Sequence, residues 1–494
     1  MAVVIALDAG TTGVRALAVG EDGAPVGARY REFPQYFPRP GWVEHDAEEI
    51  WAAVAATLAD LLSTLDQAVA TIGITNQRET VVVWDRRTGQ PRHRAIVWQD
   101  RRGVPLCEKL EAAGHLDLVR SRTGLVLDPY FSATKLSWLL TEGGVVADAQ
   151  LAFGTVDSWL LWKLTGGTRH ATDPSNASRT LLFDIRRLAW DPELADLFGV
   201  PASILPKVGS TSGRLGTTAA GVVAGLPAGV PISGVAGDQQ AALFGQACFQ
   251  PGMTKNTYGT GSFVLMNVGD RCPDPVPGLL TTVAWVLERP AQLAYALEGA
   301  IFVTGAAVQW LRDQLGLIAA AAEVGPLAAS VADTGGSYLV PALTGLGSPW
   351  WDPHARGTFV GVTRGVGRAQ LARAVVEAMA FQTRDVVDAM QAGSGYPLAE
   401  LRVDGGASVM DLLLHFCADL LGVRVVRAAV SETTALGAAL LAGLAEGVWA
   451  SPAEIAARWA PDAIVDPAPD RTTMENAYGG WQRAVERSRA WSEP

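Results

Sequence analysis

The amino terminus carries a strand–turn–strand pattern that constrains the fold more than any other feature of this chain. Two apolar runs, residues 3–7 and 14–19, flank a turn at residues 8–13 that contains only Asp, Ala, Gly and Thr. A similar pattern recurs mid-chain, where residues 256–269 read as strand, Gly/Thr turn and strand. The repeat favours two related halves, although two short glycine turns can also resemble each other by chance.

Elsewhere, short apolar runs alternate with amphipathic stretches, which is typical of an α/β fold. Hydrophobic periodicity predicts strands at residues 72–75, 80–84, 232–235, 263–267 and 338–341, and helices at residues 48–62, 133–140, 305–315, 370–390 and 410–421. Asp46 stands three residues before Glu49, a capping-box spacing that marks the start of the first of these helices.

The chain length predicts two domains. Its 494 residues exceed the ~250–300 residues that a single core usually organises. A Pro-Gly break at residues 250–252 separates an apolar helical stretch from a new strand. We therefore expect an N-terminal domain at residues 1–248 and a C-terminal domain at residues 249–494.

Composition favours a globular enzyme of small molecules. Hydrophobic residues make up 49% of the chain and charged residues 18%, without a long polar tract. The 39 Lys and Arg residues against 50 Asp and Glu residues give a net charge of −11. This balance argues against a nucleic-acid partner and against binding to an anionic membrane surface.

Cysteine usage indicates neither a zinc site nor a disulfide framework. The four cysteines are far apart in sequence and include no Cys-x-x-Cys pair: Cys107, Cys248, Cys272 and Cys417. We expect buried free thiols.

The sequence predicts a cytoplasmic protein without an integral membrane segment. No basic flank or cleavable apolar segment follows Met1. Residues 215–237 form an uncharged window, but Pro227, Pro231 and several glycines interrupt it, so we expect a loop followed by a strand.

The first glycine turn is a candidate phosphate site. Glycine lets the backbone approach phosphate oxygens, while the Thr11 and Thr12 hydroxyls and successive N–H groups donate to them and Arg15 adds a positive charge. Asp8, before the turn, is suited to hold Mg²⁺ directly or through water. A plain hairpin turn explains the same residues equally well. No P-loop or G-x-G-x-x-G fingerprint is present, which leaves an actin-like nucleotide cleft.

Asp238 is the candidate catalytic base, because it stands uncompensated between a glycine and two amides and could take a proton from a hydroxyl. Arg78 and Glu79 could bind adjacent hydroxyls of a polyol, one donating and one accepting. Taken alone, that pair is better explained as solvated surface charges. The aromatic residues Trp98, Tyr130 and Phe263 could cover the carbon side of a small polyol, although each singly is more often a core residue. Together these features suggest a phosphotransferase acting on an alcohol.

The order of these motifs resembles the FGGY family of carbohydrate kinases over nearly the whole chain, and within it the enzymes that phosphorylate glycerol. The matching segments are DAGTTGVR at 8–15, NQRET at 76–80, AIVWQDRR at 95–102, DPYFSATKLSWLL at 128–140, TDPSNASRTLLFDI at 172–185, GDQQAALFGQ at 237–246, NTYGTGSF at 256–263 and VDGGAS at 403–408. Residues 130–142 and 357–377 resemble the two signatures of the family.

The resemblance implies two RNase H-like domains of the actin and hexokinase type, closing on MgATP and glycerol in a central cleft. It places the polyol against Arg78, Glu79, Trp98, Tyr130, Asp238, Gln239 and Phe263, with Asp238 as the base. It places ATP against Thr11, Thr12, Gly13, Arg15, Thr260, Gly305, Gln309, Gly406 and Met410, and Mg²⁺ at Asp8 and Asp238. Such enzymes form homo-oligomers, so we expect a dimer or tetramer.

Three positions depart from the pattern of this family. Ala9 and Gly13 stand where Gln and Ser are usual, so a hydroxyl donor to phosphate is lost at Gly13. Met410 replaces an asparagine near the adenine, which exchanges a hydrogen bond for apolar contact. Nucleotide preference is therefore left open.

Two alternative functions also stay open. The first is a kinase of the same family acting on another polyol or on a ketose such as a pentulose, which the complete set of polyol residues argues against. The second is a non-catalytic actin-like filament protein, which would have no use for Asp238.

Overall fold

The computed structural model describes residues 2–492. Its strands, in chain order, are β1 (Ala2–Ala9), β2 (Gly13–Val19), β3 (Pro25–Glu32), β4 (Glu44–His45), β5 (Ala68–Asn76), β6 (Val82–Asp85), β7 (Ala95–Ile96), β8 (Leu151–Gly154), β9 (Ala171–Thr172), β10 (Phe183–Asp184), β11 (Ala189–Trp190), β12 (Lys207–Val208), β13 (Ser212–Thr217), β14 (Pro231–Gly237), β15 (Met253–Tyr258), β16 (Ser262–Asn267), β17 (Leu280–Glu288), β18 (Ala291–Ile301), β19 (Tyr338–Val340), β20 (Thr358–Val360), β21 (Glu400–Gly405), β22 (Val425–Ala428) and β23 (Pro461–Val465).

The helices are α1 (Ala47–Leu62), α2 (Val104–Ala112), α3 (Leu116–Thr123), α4 (Ser132–Thr141), α5 (Val156–Leu164), α6 (Pro174–Ala177), α7 (Pro192–Leu197), α8 (Asp238–Gly245), α9 (Gly305–Asp313), α10 (Val324–Ala329), α11 (Arg368–Ser394), α12 (Asp411–Leu421), α13 (Thr433–Ala445), α14 (Pro452–Arg458) and α15 (Thr472–Ser488). Short 3₁₀ turns lie at Ala202–Ile204, Ala321–Glu323 and Gly406–Val409.

The main sheet contains the same strand arrangement twice. In the first half, β1, β2 and β3 are antiparallel neighbours, and β5 and β14 continue the sheet parallel to β1. In the second half, β15, β16 and β18 are antiparallel, and β21 and β22 continue it parallel to β15. Pairing of β13 with β17 joins the halves into one sheet of 13 strands. The expectation of an α/β fold with two related halves is confirmed.

Most elements predicted from periodicity are present, with shifted ends. The expected strand at 80–84 begins only at Val82, because Glu79 adopts a left-handed backbone conformation (φ 63°) and turns the chain before it. Asp46 caps α1 as expected, accepting from the Glu48 N–H at 2.9 Å. The Glu49 side chain does not complete a capping box and instead accepts from the Tyr36 hydroxyl at 2.8 Å.

The structure bears on three further expectations, which concern the loop before β14, a membrane segment and the burial of the four cysteines. Residues 218–230 form a loop that leads into β14, as expected. None of the helices within residues 2–492 is both long and apolar enough to cross a membrane. Cys107, Cys248 and Cys417 are buried free thiols, but the expectation for Cys272 was wrong, since it is only half-buried where its loop approaches the surface.

Helix α13 packs the two halves of the chain against each other. It follows β22 in the second half, yet it packs on β1, β5 and β14 of the first half and crosses α8. Glycine allows this close approach, because a Cβ at Gly73 would overlap the Ala438 carbonyl oxygen and one at Gly437 would overlap that of Ala241. The boundary between residues 248 and 249 stays a prediction, since the halves share this part of the core.

We predict that Gly437→Ala lowers the free energy of unfolding by about 2–3 kcal/mol, because the added methyl group forces α8 and α13 apart. Gly479→Ala in α15 is the control, because the nearest atom to a Cβ there is 3.9 Å away. It should stabilise the protein by about 0.5–1 kcal/mol through helix propensity. Urea unfolding of both variants tests this, and similar effects at the two sites would contradict close packing at the crossing.

Candidate active site

A network of four buried charges lies between the two halves. Arg78 Nη1 and Nη2 donate to Glu298 Oε2 and Oε1 at 2.6 and 3.1 Å. Arg179 donates from Nη2 to Glu298 Oε1 at 2.9 Å and from Nε to Glu79 Oε1 at 2.7 Å. The exposed fraction of each of the four side chains is 2% or less. Two cations balance two anions, which is the condition for burying charge at tolerable cost.

The interpretation of Arg78 and Glu79 as a solvated surface pair is therefore wrong. The chain leaves β5 at Asn76 and turns sharply at Glu79, which directs both side chains into the protein. Arg78 also approaches the Gln240 side-chain oxygen at 3.2 Å and the Tyr130 hydroxyl at 3.4 Å.

Glu298 and Arg179 were missed by the sequence analysis. Glu298 is the one charged residue within the eleven residues of β18, and an isolated carboxylate in an apolar strand is a signal that it has a buried partner. Arg179 lies in a matched segment but had no assigned role. Burial alone would raise the pKa of Glu298, but the Arg179 and Arg78 charges outweigh it and lower that pKa to about 2.

Asp238 lies beside this network and is more open than its members. It follows β14 as the first residue of α8, and its Oδ1 lies 3.2 Å from Arg78 Nε and accepts from the Gln239 N–H at 2.7 Å. Its side chain is 30% exposed. Burial raises its pKa, while the charges of Arg78 and Lys255 act in the opposite direction. A carboxylate so placed can receive a hydrogen bond from a bound hydroxyl.

Lys255 is a further residue that the sequence analysis missed. Its buried ammonium group donates to the Gln239 side-chain oxygen, to Thr257 Oγ1 at 3.1 Å and to the Phe263 carbonyl at 3.2 Å. Burial lowers its pKa to about 8. Because the Gln239 oxygen is occupied, the amide nitrogen is the group of Gln239 left to donate to a ligand.

The three candidate aromatic residues surround the same region. The rings of Trp98 and Tyr130 meet edge to face with centroids 5.5 Å apart. The Phe263 ring centroid lies 5.9 Å from the guanidinium carbon of Arg78. The structure thus brings all seven candidate polyol residues together.

The first glycine turn is anchored to this region. Within the turn, Gly10 N–H donates to Gly13 O at 3.0 Å, and the Gln77 side chain donates to Gly10 O at 3.0 Å. The Trp98 indole donates to Thr11 Oγ1 at 2.9 Å. An indole N–H only donates, so the Thr11 hydroxyl accepts it and keeps its own hydrogen for another acceptor.

Asp8 faces Arg15 across β1 and β2. Burial, and then the negative charge of Asp238, raise the pKa of Asp8 to about 7, while Arg15 acts in the opposite direction. Within residues 2–492 no three His, Cys, Asp or Glu side chains form a metal cluster. Mg²⁺ commonly binds through one or two carboxylates and retained waters, and two mutually repelling carboxylates fit that ligand set.

The second glycine turn meets the start of α9. Thr260 O accepts from the Thr304 and Ala306 N–H groups at 3.0 and 2.9 Å, and Gly305 N–H donates to Gly259 O at 3.1 Å. Gly406 is next to Gly405, which pairs with Tyr258 at the end of β15.

The remaining nucleotide candidates lie on the elements that follow. Gln309 is exposed on α9, and Met410 precedes α12, where a Cβ at Gly325 would lie 3.4 Å from its Cγ. Arg15 reaches across from the first half and pairs with Glu432, just before α13.

We predict a distinct pH dependence for Glu298→Gln. A carboxylate with a lowered pKa stabilises the folded state above its unfolded pKa of 4.5, and this contribution is lost as pH falls towards about 2. The wild type should therefore exceed the variant in stability at neutral pH, and the gap should narrow by about 3 kcal/mol between pH 5 and pH 2. Urea unfolding at a series of pH values measures it, and a gap independent of pH would show that Glu298 is not held ionised by Arg78 and Arg179.

Comparison with known proteins gives full-length matches. Residues 3–245 match the N-terminal domain and residues 254–446 the C-terminal domain of the FGGY family of carbohydrate kinases. The chain is 55% identical to glycerol kinase of Dechloromonas aromatica over 99% of this chain and 98% of that protein, and 56% identical to glycerol kinase of Trichlorobacter lovleyi over 100% of both. The crystal structure of Plasmodium falciparum glycerol kinase with ADP superposes with a TM-score of 0.94 at 33% identity, covering 99% of this chain and 98% of that one.

Proposed function

The chain belongs to the FGGY family of carbohydrate kinases, and we propose that it transfers the γ-phosphoryl group of ATP to glycerol, forming sn-glycerol 3-phosphate and ADP in glycerol catabolism. The observation that carries this proposal is the partly exposed Asp238 carboxylate, 3.2 Å from Arg78 Nε and adjacent to Gln239. The proposal includes Mg²⁺ as the partner of ATP, a homo-oligomeric assembly and a cytoplasmic location.

On the polyol side, we assign recognition to groups with hydrogen-bonding capacity left over from the buried network. Glu79 accepts from one glycerol hydroxyl, and the Gln239 amide nitrogen donates to another. The Arg78 guanidinium lies beside both, with its Nη atoms already committed to Glu298. The edges of Trp98 and Tyr130 and the Phe263 ring contact the carbon chain.

On the nucleotide side, the two glycine turns face the phosphate chain. Thr11, Thr12 and backbone N–H groups of the first turn donate to its oxygens, and Arg15 contributes positive charge. Thr260, Gly305, Gln309 and Gly406 approach the nucleotide from the second half, and Met410 packs against the base. Asp8 and Asp238 would hold Mg²⁺, which supplies charge neutralisation on the phosphates.

The chemical step follows from this arrangement. Phosphoryl transfer proceeds through a loose transition state, so positioning and charge stabilisation are the main contributions of the protein. Asp238 orients the primary hydroxyl of glycerol and accepts its proton as the oxygen attacks the γ-phosphorus. Arg15 and the threonine turn stabilise the charge on the transferred group. Closure of the two halves excludes water that would otherwise hydrolyse ATP.

The two alternative functions are tested by one screen. ATP consumption is followed in a coupled assay with glycerol, several other polyols, pentuloses and no acceptor. Glycerol is expected to give the highest kcat/KM. A preference for a pentulose would replace glycerol as the substrate, and no acceptor-dependent turnover would favour the filament protein.

We predict that Asp238→Asn lowers kcat by at least about 10²-fold, because the amide keeps the shape of the carboxylate but cannot accept a proton. Glycerol binding, measured by calorimetry, should change little. Asp191→Asn is the matched control, since Asp191 caps α7 away from the site and asparagine caps helices equally well. A near-normal kcat in Asp238→Asn would show that Asp238 is not the catalytic base.

A further inference from the structure

Strand register places Tyr30 beside the first glycine turn. Asp8 on β1 pairs with Arg15 on β2, and Arg15 pairs with Tyr30 on β3. Residues paired across neighbouring strands share one face of the sheet, as do residues two apart on one strand. Asp8, Arg15, Tyr30 and Gly13 therefore all face the same way, towards the second half, where Arg15 pairs with Glu432.

Tyr30 fills the space that a side chain at position 13 would need. A Cβ built on Gly13 would lie 2.6 Å from the Tyr30 hydroxyl oxygen, 2.7 Å from its ring carbon Cζ and 2.7 Å from the Arg31 carbonyl oxygen. The hydroxyl lies 3.5 Å from Thr12 Oγ1. The guanidinium carbon of Arg15 lies 5.5 Å from the centre of the Tyr30 ring, within range of a cation–π contact.

The Tyr30 hydroxyl lies where Gly13 lacks a side-chain hydrogen-bond donor. Glycine at the end of the turn offers only its N–H to a phosphate, whereas a hydroxyl-bearing side chain would add a second donor. Tyr30 places an uncharged O–H group at the same point, next to the Thr12 hydroxyl and on the face that carries Arg15. About half of the residue is exposed, so the phenol is accessible to a bound molecule.

We propose that the Tyr30 hydroxyl donates a hydrogen bond to the phosphate chain of the bound nucleotide, replacing the donor that a side chain at position 13 would supply. This inference rests on the proposed function, because it requires the first glycine turn to bind phosphate. Gly13 and Tyr30 then form a matched pair, because the absence of a side chain at Gly13 makes room for the Tyr30 phenol.

Tyr30→Phe tests the donor directly, because it removes the hydroxyl and keeps the ring. A hydrogen bond to a charged acceptor has a net strength that corresponds to about tenfold in affinity. KM for ATP should therefore rise about tenfold, while KM for glycerol stays within about twofold. Tyr396→Phe is the control, since Tyr396 is a similarly exposed tyrosine just after α11 and should change neither constant. An unchanged KM for ATP in Tyr30→Phe would overturn the proposal, as would equal losses for ATP and glycerol.

A swap of the two positions tests the pairing. Gly13→Ser alone should weaken ATP binding, because its Cβ meets both the Tyr30 hydroxyl and the Arg31 carbonyl oxygen. Gly13→Ser should cost less ATP affinity in the Tyr30→Ala background than in the wild type, because the phenol is then gone and only the Arg31 carbonyl oxygen still obstructs the Cβ. Additive losses in the double variant would overturn the pairing.

Calorimetric titration of ATP separates this inference from the proposed function. If the wild type does not phosphorylate glycerol, the proposed function fails, yet Tyr30→Phe should still weaken ATP binding in the titration. If the wild type phosphorylates glycerol and Tyr30→Phe binds ATP normally, only the role of Tyr30 fails.

Discussion

The bidentate pair between Arg78 and Glu298 is the interaction on which the rest of the site depends. Arg78 follows β5 in the first half and Glu298 lies on β18 in the second, and 220 positions separate them in sequence. Loss of either partner would leave a charge buried without compensation, which costs several kcal/mol. Arg179 extends the pair to Glu79, so two of the seven residues assigned to the polyol are held by Glu298 from the opposite half, Arg78 directly and Glu79 through Arg179.

The same junction has an apolar counterpart in the α8–α13 crossing. Helix α8 begins with Asp238, and α13 begins beside Glu432, the partner of Arg15. A change in the angle between these helices would therefore shift the base relative to the phosphate turn. Close glycine packing limits how the helices move against each other, because interdigitated surfaces favour discrete arrangements over continuous deformation.

The sequence was sufficient for the two glycine turns and for strands such as β1, β2, β5 and β14, because each depends on local periodicity or local turn chemistry. It did not predict the long strands β17 and β18 or helix α13. The buried network was not predictable in the same way. Arg78 reads as a surface charge until Glu298 is placed opposite it, and that contact is set by the tertiary fold. Lys255 was not predictable for the same reason. It lies on β15, and its hydrogen-bond partner on α8 comes within reach only when β15 and α8 pack together.

Three carboxylates near the cleft, those of Glu298, Asp8 and Asp238, differ in the direction of their pKa shifts. The difference distinguishes a residue that stabilises the fold from two residues suited to bind ligand. Glu298 has two arginine partners and a lowered pKa, so it is ionised at any physiological pH and stabilises the fold. Asp8 and Asp238 have raised pKa values, because burial and, for Asp8, the neighbouring carboxylate disfavour their charged forms. For Asp8, whose pKa rises from 3.8 to about 7, the folded state binds the proton more tightly than the unfolded state, so its contribution to stability declines as pH rises through that range. A cation or a hydroxyl donor bound at Asp8 and Asp238 would favour their charged forms and offset this loss of folding stability. The residues best suited to bind ligand are therefore also those whose ionisation destabilises the folded protein.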